Sequence, residues 1–273
     1  MFCNKTPDEI RNIYNSDFSK ASEENFTDII KDIFKNITPL HHPNYLGHQV
    51  SSPLPMSALS DLTMGLLNNS DCVFEMGKAA AGTEKAIVDW MKDVRNLTIS
   101  EEHIVPTLGT IFGLNTAIRA FSEENDEIII QSPSYYRFDV AIINNHRKVI
   151  YNPMKCEEGI YKIDFDDLEI KMASPKAKMM VLCHPHNPTG KVFSISDLER
   201  IHQLSIKYHV LIYVDEIFGE MQYQSNLSYG HITKQNTILS TSLGKTFNFT
   251  GVNHANLIIW DEKLRKQYLQ QRK

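Results

Sequence analysis

Met179-Met-Val-Leu-Cys183-His-Pro-His-Asn187-Pro-Thr-Gly190 is a short apolar run interrupted by Pro185 and Pro188. A run of this kind, bounded by proline and glycine, reads as a buried strand that stops abruptly, so Asn187 is presented at the strand's C-terminal end. The next apolar run, Val210-Leu-Ile-Tyr-Val214, stops at Asp215-Glu216 and places a carboxylate at the same edge. An isolated ionised group there is costly to desolvate, so Asp215 calls for a cation. A third run, Thr237 to Thr241, leads into Ser242-Leu-Gly244-Lys245-Thr-Phe-Asn-Phe-Thr-Gly251. Hydroxyl residues and glycine before the lysine let backbone and amine approach a bound phosphorylated group closely.

Working outward, further short β-branched runs fall at Ile104-Val105, Glu127 to Gln131, Lys148 to Tyr151 and Asn256 to Trp260. Helical runs lie between most of them, including Thr110 to Phe121 and a segment that opens on Ser196-Asp-Leu-Glu199, which has the form of a capping box. Strands apolar on both faces and separated by helices predict a mostly parallel, seven-stranded sheet covered on both sides. Ligands of such sheets bind beyond the C-terminal strand ends. At one of those ends Thr107-Leu-Gly109-Thr110 joins strand to helix, and the first N–H groups of that helix form a phosphate cradle.

The residues before 96 read differently. Phe26, Ile29, Ile30, Ile33 and Phe34 recur at helical spacing, and helices are also predicted over Met56 to Asn68 and Lys78 to Arg95. Between the first two, the proline-rich stretch from Thr38 to Pro55 excludes regular structure across most of its length. The division is therefore a helical and loop segment over 1–95, followed by an α/β domain over 96–273.

Composition bounds the function. With 42% hydrophobic and 22% charged residues the chain has an ordinary globular balance. A formal net charge of -5 and no basic stripe argue against nucleic acid. Neither a long apolar run nor an apolar N-terminal leader is present, which argues against a membrane partner and points to the cytoplasm. Cys3, Cys72, Cys156 and Cys183 lack paired spacing and read as reduced, mostly buried thiols. His41, His42, His184 and His186 sit beside prolines without acidic or cysteine partners at ligand spacing, so no metal site is expected.

An anion cradle, an asparagine, an aspartate and a lysine at the ends of four strands suggest pyridoxal 5'-phosphate. From about Lys85 onward the chain resembles the fold-type I pyridoxal-phosphate enzymes of aminotransferase class I/II, and within them the cystathionine β-lyase-like carbon–sulfur lyases. The resemblance is carried by Ala117-Ile-Arg-Ala-Phe121, Asp164-Phe-Asp-Asp-Leu-Glu169, Pro185-His-Asn-Pro-Thr-Gly190, Asp215-Glu-Ile217 and Ser242-Leu-Gly-Lys-Thr-Phe-Asn248. It implies that Lys245 bonds the cofactor covalently and then acts as base, that Asp215 keeps the pyridine nitrogen protonated, and that Asn187 donates to the phenolic oxygen. It also implies that Tyr135 stacks on the ring and that Gly109, Thr110, Ile111 and Ser242 hold the phosphate. A homodimer acting on a small amino-acid substrate follows from the same resemblance, with β-lyase activity first and transamination second.

Three features depart from it. Phe218 stands where the family has His or Tyr, and Gly244 stands where it often has Ser. The small C-terminal domain, whose arginine grips the substrate carboxylate, is expected to be missing, which leaves a cofactor-binding chain without turnover as an alternative. Residues 38–92, with His42-Pro-Asn-Tyr-Leu-Gly-His48-Gln49 and Asp89-Trp90, instead resemble the N-terminal region of group II pyridoxal-phosphate decarboxylases. That likeness implies amino-acid decarboxylation as a competing activity and His48 and Gln49 as substrate contacts.

Overall fold

In the computed structural model the described residues are 78–272 without 224–226, 249 and 252, together with scattered helical positions before them. Chain contacts divide the protein into Met1–Ser52 and Pro53–Lys273. In the first unit Asp28, residues 31–33 and Lys35 are helical, within the amphipathic helix expected there. In the second, Met56, Leu59 and Leu62 are helical.

Helix α1 spans Lys78–Asp93, and strands and helices then alternate: β1 (Ile104–Thr107), α2 (Thr110–Phe121), β2 (Glu127–Ser132), α3 (Tyr136–Asn144) and β3 (Lys148–Pro153). A small hairpin of β4 (Lys155–Glu157) and β5 (Ile160–Lys162) follows, then α4 (Phe165–Met172), β6 (Ala177–Cys183), α5 (Ile195–Tyr208), β7 (Leu211–Asp215), β8 (Thr237–Thr241), β9 (Ala255–Ile258) and α6 (Glu262–Arg272). The seven expected strands are the seven of the main sheet, in the order β1-β9-β8-β7-β6-β2-β3. Only β9 runs against its neighbours, β1 and β8. The hairpin was not expected; its turn residues Glu158 and Gly159, at φ 52° and 80°, carry the left-handed pair that closes such ribbons.

Strand alternation sends successive side chains to two separate cores. On one face Ile129, Met180, Leu182, Ile212 and Val214 pack with Met91 of α1, Leu168 of α4 and Leu198 and Ile201 of α5. On the other Ile128, Ile130, Val181 and Tyr213 pack with Leu114 and Ile118 of α2, Phe138 and Ile142 of α3 and Tyr268 of α6. Each fully buried aliphatic chain contributes roughly 1.5–3 kcal/mol, and a sheet lined this way on both faces requires three layers.

One local expectation is corrected. The capping box of α5 is formed by Ser194 and Asp197: Ser194 Oγ accepts from the Asp197 N–H at 3.1 Å, and Asp197 Oδ2 accepts from the Ser194 N–H at 3.0 Å. Ser196 therefore lies inside the helix, because an aspartate three residues after Ser194 satisfies the reciprocal bond as well as the glutamate of the later pair. Of the cysteines, Cys183 is buried and Cys156 exposed; Cys3 and Cys72 lie outside the described residues.

Candidate active site

All the parallel strands end at the same edge, and register fixes which residues meet there. Cys183 is the partner of Asp215, and Asp215 of Ser240. The ladder runs one step further, with the His184 N–H bonded to the Asp215 carbonyl at 2.9 Å and the Glu216 N–H to the Ser240 carbonyl at 2.8 Å. The loops carrying Asn187 and Lys245 thus leave the sheet on either side of Asp215.

Asp215 is 4% exposed. Its Oδ1 accepts the Ile217 N–H at 3.0 Å, and the Thr110 hydroxyl also donates to it. Burial pushes its pKa up to about 6 and the neighbouring Glu216 adds to the rise, while the Ile217 and Thr110 hydrogen bonds oppose it. Among the described residues no cation pairs with it. The arginine of this region, Arg95, is instead taken by Glu216 and Glu220.

Thr110 belongs to the first turn of α2. Tyr213 Oη donates to the Thr110 carbonyl at 2.9 Å and ties that turn to β7. Gly109 precedes it at φ 117°, ψ 159°, a conformation open essentially to glycine, and a Cβ there would meet nothing within 4 Å. The N–H groups of Thr110, Ile111 and Phe112 have no acceptor within the helix and lie at the positive end of the α2 dipole. Tyr135 caps α3 and is half-buried, edge-on to Tyr136 and Phe138 at centroid distances of 5.2 and 5.6 Å. Its phenol is pushed to a higher pKa by burial first, then by Tyr136, with the Asp215 charge contributing, which places it within electrostatic reach of that carboxylate.

Asn187 is half-buried. Its backbone N–H bonds to Cys183 Sγ at 3.4 Å, and the loop is stiffened by His186 Nδ1 against Thr189 Oγ1 at 2.8 Å. Lys245 is also half-buried and lies in a turn held at both ends. Before it, Ser242 Oγ accepts the Gly244 N–H at 3.1 Å and donates to the His254 carbonyl at 2.9 Å. After it, Thr246 Oγ1 donates to Glu220 Oε2 at 3.1 Å and the Phe247 ring meets Trp90 edge-on at 5.3 Å. Neither the Asn187 amide nor the Lys245 amine has a side-chain hydrogen bond or ion pair among the described residues.

Asn187, Asp215, Tyr135, Thr110 and Lys245 therefore share one strand edge. The Ser242 hydroxyl is there too, already engaged within its own loop. His48 and Gln49 lie outside the described residues. A cleft of about 210 Å³ opens between α1 and the ends of β8 and β9, lined by Trp90, Met91, Ser242 and Leu243; it adjoins the lysine loop without containing Lys245. The Arg95 pairing was not foreseen, since Arg95 follows a helix whose exposed face is rich in charge and its partners lie more than a hundred residues away.

This edge offers four complementary groups: N–H donors for an anion, a carboxylate awaiting a cation, an uncommitted amine and an uncommitted amide. The family model for aminotransferase class I and II matches residues 75–272. Cystathionine β-lyase PatB of Bacillus subtilis (strain 168) is 31% identical over 68% of the chain and 49% of its own length. The aspartate aminotransferase of Sulfolobus acidocaldarius is 27% identical over 66% of the chain and 46% of its length. The structure of cystalysin from Treponema denticola, which contains a pyridoxal 5'-phosphate cofactor, superposes with a TM-score of 0.75 at 26% identity, covering 93% of this chain and 66% of that one. The chain spans about half the length of the curated relatives it matches. Lyases and transaminases among these relatives do not favour the decarboxylase alternative. With the family model covering well over half of its residues, the chain belongs to the aminotransferase class I and II family.

Proposed function

We propose that the protein binds pyridoxal 5'-phosphate at this strand edge and uses it on an amino acid, as a carbon–sulfur β-lyase or else a transaminase. The observation that carries the reading is the set of uncommitted groups: among the described residues Lys245 has no side-chain partner and Asp215 no cation, and the first-turn N–H groups of α2 lie at the same edge. Each fits one part of the cofactor. The first-turn N–H groups of Thr110 and Ile111, with Gly109 keeping the approach open, would hold the phosphate. Asp215, held ionised by a protonated ring nitrogen, would keep that nitrogen protonated. The Asn187 amide would donate to the ring hydroxyl and Tyr135 would cover one ring face. Ser242 supports the phosphate side by shaping the turn at Gly244.

When bound, the cofactor supplies an electron sink for negative charge developing at the substrate's α-carbon. Lys245 would hold it covalently, and its Nζ would serve as the base that takes the α-proton. Lyase activity is placed first on the likeness to PatB, and transamination second on the likeness to the aspartate aminotransferase. Residues 96–273 would form the cofactor-binding domain, in a cytoplasmic homodimer.

The test is borohydride reduction of the protein after incubation with pyridoxal 5'-phosphate, followed by peptide mapping. The expected result is a single label on Lys245, absent in Lys245→Ala, and pyruvate release from cystathionine. A label on another lysine, or none, refutes the cofactor assignment.

A further inference from the structure

We infer that Arg95, Glu220 and Thr246 are positioning residues for Lys245, forming a buried bridge that fixes the lysine relative to Asp215. The inference rests on the cofactor reading above, because it explains how two groups that must reach opposite parts of one ring are kept at a set separation.

The bridge starts beside the aspartate. Glu216, with no exposed surface, accepts from Ser228 Oγ at 2.8 Å, from the Tyr229 N–H at 2.7 Å and from the Arg95 guanidinium. Arg95, 1% exposed, turns its other terminal nitrogen to Glu220 Oε1 at 2.9 Å. The second oxygen of Glu220 accepts from Thr246 Oγ1 at 3.1 Å, and Thr246 is the residue after Lys245. A continuous run of charge-assisted hydrogen bonds thus leads from the neighbour of Asp215 to the neighbour of Lys245.

Two observations separate this from ordinary core polarity. Lys245 has no side-chain partner among the described residues, so the tethers on Thr246 and Phe247 are what orient the turn behind it. The passage is also built closely around the arginine: a Cβ on Gly219 would collide with the Arg95 guanidinium. Because Arg95 is fully buried it has nowhere to retreat, and any side chain at 219 breaks the bridge without removing a hydrogen-bonding group.

The experiment compares Thr246→Val, Thr246→Ser and Gly219→Ala with the parent protein. Lys245 acetylation by a water-soluble N-hydroxysuccinimide ester is followed by mass spectrometry in the cofactor-free protein. Attachment of pyridoxal 5'-phosphate to Lys245 is followed by its visible band, and the melting temperature is recorded alongside. Thr246→Val is expected to accelerate acetylation and slow attachment by about tenfold, the scale of one charge-assisted hydrogen bond. It should also shift the pH at which the visible band titrates, with a loss in melting temperature limited to a few degrees. Thr246→Ser, which keeps the hydroxyl, should restore parent values, and Gly219→Ala should reproduce the valine variant's acetylation and attachment changes while also lowering the melting temperature, because it displaces a buried ion pair. Parent-like acetylation and attachment in Thr246→Val, or equal loss in the valine and serine variants, overturns the inference. If the parent takes up no cofactor at Lys245, the functional reading fails, and the acetylation comparison alone decides whether the bridge positions the lysine.

Discussion

Asp215→Asn should make the cofactor-free protein more stable while impairing its chemistry. Burial raises the Asp215 pKa from 3.8 to about 6, so the folded state holds this proton more tightly than the unfolded chain does. Unfolding free energy therefore falls as pH rises from 3.8 through about 6 and stays depressed above it. At about 1.36 kcal/mol per unit, the charged carboxylate destabilises the fold by about 3 kcal/mol at pH 8. Asparagine carries no charge, and its Oδ1 can still accept from the Ile217 N–H, so most of that penalty should vanish. Urea unfolding followed by circular dichroism at pH 4, 5, 6, 7 and 8 measures it. The two proteins should coincide at the acid end and separate by about 2–3 kcal/mol at pH 8, with asparagine the more stable. Added pyridoxal 5'-phosphate should reverse the order, since a cationic ring nitrogen rewards only the carboxylate. A gap that does not vary with pH, or a less stable asparagine variant at pH 8, would refute the assignment of Asp215 as an unpaired buried acid.

His186 predicts the opposite slope. Burial lowers its pKa from 6.5 to about 4, so its contribution is fully present above 6.5 and is lost as pH falls towards 4; His186→Gln should flatten that acid limb in the same urea series. Gly109→Ala should lose about 1–3 kcal/mol, because a residue at φ 117° is strained although its Cβ meets open space; an unchanged melting temperature would show that the α2 entry relaxes instead. Ser194→Ala should lose about 1 kcal/mol through the α5 cap and Ser196→Ala far less, a comparison that thermal melts of the two variants decide.

The strands were legible because Ile128 to Ile130, Met179 to Leu182 and Leu211 to Val214 are apolar on both faces, a pattern that burial alone imposes. Direction was not: a four-residue run such as Ala255–Ile258 looks the same whether its neighbours run with it or against it. The uncommitted groups of the site were visible because Asn187, Asp215 and Lys245 stand beside chain-breaking or small residues at strand ends. Arg95 was invisible for the converse reason. In sequence it is one more cation at the end of a charged helix, and Glu216 one more acid beside Asp215. Their pairing exists only once α1 is folded against the segment that follows β7, and local periodicity carries no information about that.

The placement of β9 has a consequence for biosynthesis. The first strand, β1, finds its hydrogen-bonded neighbour only in β9, which leaves the ribosome after every other strand of the sheet. Until residues 255–258 emerge, a nascent chain holds β1 and the glycine entry to α2 without their ladder, and Tyr268, whose hydroxyl reaches the Gly113 carbonyl at 3.4 Å, is not yet there to cover α2. Closing so distant a pair is slow. The exposed strand in the meantime is open to mispairing, so dependence on folding helpers is expected in the interval. A ribosome stalled before the last strand would display β1 and the entry to α2 without the strand that secures them.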